Sequence, residues 1–327
     1  MIRTVYMQQF EQDHWLPLAG RHKDIALDVI KTADDLAKVI DDCEVLIANN
    51  RVCNEPIGRL ILDRGKKLRL IQFSTAGIER GIRFGLPPGV PVCNVPGVKG
   101  PTVAEHAMLL LLASFRHFRD IEAARGRREW IREQVHETAR TLEGATLVIA
   151  GLGAIGQEVA RKAKAFDMRV IAVSRAAKAG PTVDEVVSRD RLHEVLPRAD
   201  ALVLCLPVEP DTVGFIGDAE LARMKSDAIL INVGRGELVD EAALIRACER
   251  KQIGGAALDV TVVEPLAADS PLWRLDNVLI SPHVAGTGKD GAETFDAVFT
   301  ENLARYRTGR PLIHLMEWEH DAAKAIE

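Results

Sequence analysis

Short apolar runs recur along the chain with longer mixed stretches between them, and the spacing within each run sets the element it predicts. At the N-terminal end MIRTVYM, EVLIA, LRLIQF and VPVCNV read as strands, and IALDVIKTADDLAKVI, between the first two, reads as a helix. That alternation predicts a small parallel α/β unit. Pro96, Gly97, Gly100 and Pro101 then punctuate the chain before VAEHAMLLLLASF, which places a domain boundary there. This helix is apolar nearly all round from Ala107 to Phe115, so it is expected between layers or against another subunit.

A second, more regular series begins at Thr146. The strands TLVIA, RVIAV, ALVLCL, AILINV, GGAALDV and NVLIS are separated by helical stretches, one of them near Arg191 to Leu196. Six strands with crossover helices are the rhythm of a doubly wound dinucleotide fold. A last helix, from about Thr287 to Arg307, follows AGTGKDG and is placed to return to the first domain.

Composition narrows the classes. With 327 residues, 47% hydrophobic and 27% charged, the chain has room for two folded domains. A net charge of −5 without a basic face argues against nucleic acid or anionic lipid as the main partner. The densest basic run, Arg116 to Arg132, is interleaved with Glu122, Glu129 and Glu133 and reads as a solvated or subunit-facing helix. The N-terminus lacks the apolar stretch of a signal peptide, and no run reaches the ~18 apolar residues of a membrane span, so a cytoplasmic protein is expected. Cys43, Cys53, Cys93, Cys205 and Cys248 form no CxxC pair and read as free thiols.

GLGAIG lies between the strand TLVIA and a helix. In that context Gly151 makes a tight turn, Gly153 lets backbone approach a pyrophosphate and Gly156 lets helix and strand close together, with Ala154 and Ile155 opening the helix whose N–H groups face the anion. The next strand ends in Ser174 and Arg175, where an NAD site places an acid on the ribose 2′-hydroxyl. Arg175, with Ser174 and Lys178, suits a 2′-phosphate instead, so NADP(H) is expected over NAD(H); the competing reading is a solvated Arg175 stacked on adenine.

Three loops follow late strands of this series: INVGRGELVD with Arg235, ALDVTVVEPL with Glu264 and LISPHVAG with His283. Strand ends of an open α/β sheet face the ligand crevice. Arg235 offers a fork for a carboxylate and carbonyl, a histidine exchanges protons near neutral pH, and an acid on its ring fixes the tautomer. Together they suit interconversion of a 2-oxo acid and a 2-hydroxy acid. Taken singly, each residue is as well explained by a turn, a loop acid or a hydrogen-bonded histidine.

GLGAIG, LPVEPDT, INVGRGELVDEAAL, GAALDVTVVEPL and SPHVAG stand in an order and spacing that resembles the D-isomer-specific 2-hydroxyacid dehydrogenase family. The resemblance implies a substrate-binding Arg235, a His-orienting Glu264 and an acid/base His283. It extends the cofactor site to Leu206, Pro207, Thr212 and Asp259, and gives the substrate carboxylate the backbone of Ala76, Gly77 and Ile78 in STAGIE, a stretch that is otherwise a simple strand-to-helix turn. It implies two doubly wound parallel-sheet domains, a Rossmann-type cofactor domain (99–285) inserted into a discontinuous flavodoxin-like substrate domain (1–98 plus 286–327). An interdomain cleft and a homodimer through the cofactor domain are implied too, with Trp130 either packing there or reaching a neighbour's site. Asn49, Asn50, Arg51 and Val52 become candidate substrate walls, while glyoxylate, hydroxypyruvate and larger 2-oxo acids all stay open. Two other outcomes remain: a dinucleotide-sensing regulator of the same fold, and a dehydrogenase of formate or phosphite. His314, Glu317 and His320 suggest a metal only until their spacing is considered, since residues six apart on a helix do not share a face; a solvated tail and no metal are expected.

Overall fold

Aliphatic and β-branched runs pair into two all-parallel sheets, one in each of the two units into which the chain divides, Met1–Val98 with Gly288–Glu327 and Lys99–Thr287. The computed structural model describes residues 1–9, 14–97, 99–175, 179–288 and 290–317.

The first unit runs β1 (Ile2–Met7), α1 (Leu16–Ala19), β2 (Ile25–Ile30), α2 (Ala33–Val39), β3 (Val45–Ala48), α3 (Glu55–Arg64), β4 (Leu70–Phe73), α4 (Glu79–Phe84) and β5 (Val92–Cys93). Its sheet order, β2-β1-β3-β4-β5, is that of flavodoxin-like folds. Every residue of β3 and β4 is buried, as a parallel sheet covered on both faces requires.

Two expectations fail here. The stretch from Ile25 to Ile40 is not one helix: its first part is β2, paired along its length with β1. Thr32 then starts α2, its hydroxyl accepting the Asp35 N–H at 3.2 Å with Asp34 and Asp35 in the first turn. The cap, not the apolar spacing, marks where the helix begins. Nor is the segment around His314 a solvated tail. Asn94 donates to the His314 carbonyl and Met316 to that of Val92, so Leu315 bridges to Cys93 and covers the edge of the first sheet. His320 lies outside the described residues.

The second unit opens with α5 (Gly100–Phe115), α6 (Phe118–Arg127) and α7 (Arg132–Thr138). It continues β6 (Thr146–Ala150), α8 (Ala154–Lys164), β7 (Arg169–Val173), β8 (Glu185–Val187), α9 (Leu192–Val195), β9 (Ala201–Leu204), α10 (Asp218–Leu221), β10 (Ile229–Asn232), α11 (Glu241–Glu249), β11 (Gly255–Leu258) and β12 (Val278–Ile280); α12 (Asp290–Thr308) belongs to the first unit. The sheet order is β12-β11-β10-β9-β6-β7-β8, seven strands rather than the expected six. The addition, β8, has three residues of which only Val187 is buried, too short and too polar to stand out in the sequence. Strand order reverses at β6, whose neighbours are β7 and β9, and that reversal is where such sheets open a ligand crevice. The apolar α5 buries Val103, Ala104, Ala107, Met108, Leu110 and Leu111 against α8, β10 and β11.

At the opposite end of the sheet, Asp200 accepts from Thr146 N at 2.7 Å, Lys225 Nζ at 2.9 Å and Arg140 Nη2 at 3.0 Å. Burial alone would raise its carboxyl, but the Lys225 and Thr146 hydrogen bonds and the charges of Lys225 and Arg140 outweigh it and hold it below the ordinary carboxylate range. A lowered folded-state value adds stability above the unfolded carboxyl's range and loses it as pH falls through the folded value. Asp200→Asn should therefore cost about 1–3 kcal/mol in urea unfolding at pH 7. The deficit should shrink as pH falls through and below the ordinary carboxylate range; a pH-independent deficit would show that the charge is not its source.

Candidate active site

The turn after β6 has the geometry that a bound phosphate demands. Gly151 sits at φ 98°, and a Cβ there would meet the Cys205 carbonyl carbon at 2.9 Å. A Cβ on Gly156 would fall 2.0 Å from the Gly151 oxygen, so only glycine allows α8 to start this close to the strand. Gly153 has open space around its Cβ position and caps α8 with no side-chain hydrogen bond. The first N–H groups of that helix, at the exposed Ala154 and half-buried Ile155, remain available with the positive end of the helix dipole. These residues fit a dinucleotide pyrophosphate. Burial pushes the neighbouring Cys205 thiol up to about 12, which keeps a thiolate out of the crevice.

At the end of β7, Ser174 is pinned by its N–H to the Val187 carbonyl, and the exposed Arg175 points Nη2 at Glu209, 2.9 Å away. Arg189, absent from the sequence reading, donates to Asp211 at 2.7 Å and approaches Glu209 within 3.6 Å. Two guanidiniums and two carboxylates thus alternate at this rim. Lys178 lies outside the described residues. In the following loop Leu206 is buried and Pro207 exposed. Thr212 is fully buried, its hydroxyl bonded to the Pro207 and Glu209 carbonyls and the Glu209 N–H. Its hydroxyl is therefore committed to shaping the loop.

Arg235 follows β10 on a loop tied down from beneath. The buried Asn232 donates to the Arg235 carbonyl at 2.8 Å and accepts from Gly234 N at 3.0 Å. Gly236 lies so close to the next loop that a Cβ would reach the Thr261 carbonyl carbon at 2.1 Å. That next loop carries Glu264, whose Oε1 accepts from Thr261 N at 3.3 Å and whose Oε2 stands 2.7 Å from His283 Nδ1. A carboxylate only accepts, so Nδ1 carries a hydrogen, and proton exchange with a ligand falls to Nε2. The two side chains are about a third exposed, reachable yet partly shielded.

His283 has a left-handed backbone, φ 53°, held by its own N–H on the Asp259 carbonyl at 2.8 Å. The Asp259 carboxylate, 2% exposed, takes the next two amides, Val284 at 2.9 Å and Ala285 at 3.0 Å, and the Ser281 hydroxyl at 2.6 Å. Asp259 thus fixes the His283 loop, with its oxygens already engaged. Asn232 and Ser281 escaped the sequence reading; the available signal was a polar residue ending the apolar strand ILIN and a serine two before the histidine.

In the first unit, taken by itself, the loop after β4 is ready for an anion. The carbonyls of Thr75, Ala76, Gly77 and Ile78 are taken by Val95 N, Asn94 Nδ2, Thr75 Oγ1 and Ile82 N. Among the described residues no acceptor meets the N–H of Ala76, Gly77 or Ile78. Asn49 and Asn50 are spent on this unit's own structure, Asn50 bridging Glu79 and the Arg80 N–H. Among the described residues no metal-ligating cluster occurs.

Comparison with known proteins gives the chemistry a context. The family model for the NAD-binding domain of D-isomer-specific 2-hydroxyacid dehydrogenases matches residues 108–285. A glyoxylate reductase of Korarchaeum cryptofilum is 32% identical over 311 residues, covering 92% of this chain and 88% of that one. A D-3-phosphoglycerate dehydrogenase of Methanocaldococcus jannaschii is 32% identical over 85% of this chain but only 52% of its own length. Among solved structures, a D-isomer-specific 2-hydroxyacid dehydrogenase family protein of Aeromonas salmonicida superposes with TM-score 0.87 at 28% identity, covering 97% of this chain and 99% of that one. An NADPH-dependent glyoxylate/hydroxypyruvate reductase of Sinorhizobium meliloti, solved with NADP and sulfate, gives 0.83 at 26%, covering 97% and 98%.

Proposed function

This chain belongs to the D-isomer-specific 2-hydroxyacid dehydrogenase family, and from that premise we propose that it reduces a 2-oxo acid with NADP(H) through Arg235, Glu264 and His283. The observation that carries the reading is the Glu264–His283 pair, 2.7 Å apart, on loops at the same sheet edge as the glycine turn and Arg235. A bound dihydronicotinamide supplies the hydride to C2. His283 Nε2 gives a proton to the oxygen that becomes the hydroxyl, and Glu264 stabilises the ring while it carries that proton. Arg235 holds the acid and polarises its carbonyl, and the amides of Ala76, Gly77 and Ile78 are assigned to a carboxylate. Oxidation of a 2-hydroxy acid runs the same steps backwards, with His283 as base. A formate donor has no carbonyl oxygen that becomes a hydroxyl, so its oxidation asks no proton of this pair.

Gly151, Gly153, Ala154, Ile155 and Gly156 are assigned to the pyrophosphate and Ser174 and Arg175 to a 2′-phosphate; the bound NADP of the Sinorhizobium relative supports that choice for its own chain. The Arg175–Glu209 pair is a surface contact, with side chains 63% and 34% exposed, worth at most about 1 kcal/mol, so a doubly charged phosphate displaces it readily. Five free cysteines, four of them buried, support a reducing, cytoplasmic setting. For the oligomer we infer a homodimer through the second unit, where Leu109, Phe118 and Trp130 are 56%, 54% and 90% exposed.

His283→Ala should lower kcat about 10²-fold or more on glyoxylate or hydroxypyruvate while NADPH binding survives. Arg235→Ala should impair KM and kcat together; near-normal kinetics in both variants would sink the assignment. In fluorescence titrations Arg175→Ala should weaken NADPH binding about tenfold and leave NADH nearly unchanged, whereas equal weakening of both would assign Arg175 to adenine. Sedimentation equilibrium should return twice the chain mass of 35.8 kDa, and a mass of one chain would refute the dimer.

A further inference from the structure

His106 stands on the apolar helix α5, and its ring is not a packing element alone. The side chain is 16% exposed, with Nε2 2.8 Å from Ser281 Oγ and 3.4 Å from Asp259 Oδ1. The Ser281 hydroxyl has one hydrogen, and the carboxylate oxygen 2.6 Å away can only accept, so that hydrogen is spent on Asp259. Ser281 Oγ must then accept from His106, which requires the hydrogen on Nε2. A directed relay results: His106 to Ser281, Ser281 to Asp259, with the remaining carboxylate lone pairs left for the amides of Val284 and Ala285 that flank the catalytic ring.

We propose that His106 is a positioning residue for the His283 loop: by donating to Ser281 it fixes the direction of the hydrogen bonds that hold His283 at its left-handed backbone with Nδ1 against Glu264. Without that donor Ser281 is free to rotate its hydrogen off Asp259, and a buried carboxylate that loses a donor draws in water or shifts the loop. His106 acts through Ser281 and is not itself assigned a step. The kinetic part of this inference rests on the reductase reading; the geometric part does not.

Two substitutions separate relay from packing. His106→Leu keeps the bulk and removes the donor, whereas His106→Gln offers an N–H at similar reach. The leucine variant should lose about tenfold or more in kcat, with KM for NADPH within about twofold and an unfolding midpoint close to wild type, and glutamine should restore most of the loss. Equal kcat in the two variants, or leucine matching wild type, would overturn the proposal. Ring NMR of selectively 15N-labelled histidine gives the readout that does not depend on turnover. The Nδ1–H signal of His283 should be slowly exchanging in wild type and glutamine and lost to exchange in leucine. If wild type turned over no 2-oxo acid the reductase reading would fall, yet the ring signal would still decide this one, and its persistence in leucine would refute it.

Discussion

A carboxylate buried to 2% exposure is the constraint on which the arrangement of the Arg235 and His283 loops depends. An anion taken out of water has to be surrounded by donors, and Asp259 finds them in the Ser281 hydroxyl and the Val284 and Ala285 amides, all from the segment after β12. Meeting that need forces the segment to wrap around the end of β11, and His283 comes with it. The same residue donates its own N–H to the Asn232 carbonyl, and the Asn232 amide reaches the Arg235 carbonyl. Hydrogen bonds from buried polar groups therefore tie the backbones of Arg235 and His283 together, while both side chains stay partly exposed.

The parallel sheet supplies the frame for this. Its strands are covered on both faces and nearly every residue of β6, β7, β9 and β11 is buried, so their registers leave little freedom to slip. Each strand then ends at the same edge, and six of those ends deliver Gly151, Ser174, Leu206, Arg235, Asp259 and His283. The reversal of strand order at β6 opens a crevice at that edge. Tight backbone contacts at Gly151, Gly156 and Gly236 set how closely the loops can lie, which is a matter of missing Cβ atoms rather than of any attraction.

Much of this is legible in the letters. Buried parallel strands read as continuous apolar runs, which is why TLVIA, ALVLCL and AILINV stand out, and GLGAIG, Arg235, Glu264 and His283 sit in short punctuated loops. The two-sheet α/β class follows from that alternation. The segment Ile25–Ile40 misleads because apolar spacing there suits a helix, whereas β1 pairing takes its first six residues and the Thr32 cap defers the helix to Ala33. β8 is hidden by its brevity, and Leu315 by a bridge to a strand far away in sequence. Ser281 and His106 are hidden for another reason: each acts through a partner that only folding brings near, Asp259 for Ser281 and Ser281 for His106, whereas Asn232 braces its own loop and is marked only as the polar residue that ends ILIN.

Asp259→Asn offers the most direct measurement. Asparagine keeps the size but has one accepting oxygen in place of two and adds donors that face the Val284 or Ala285 amide. Single-turnover hydride transfer from NADPH to glyoxylate should fall about 10²-fold while NADPH affinity stays within a few-fold of wild type, because the loop bearing His283 is released and the glycine turn is not. Hydride transfer at the wild-type rate would contradict the account at its base, since the carboxylate would then not be what holds His283 in place.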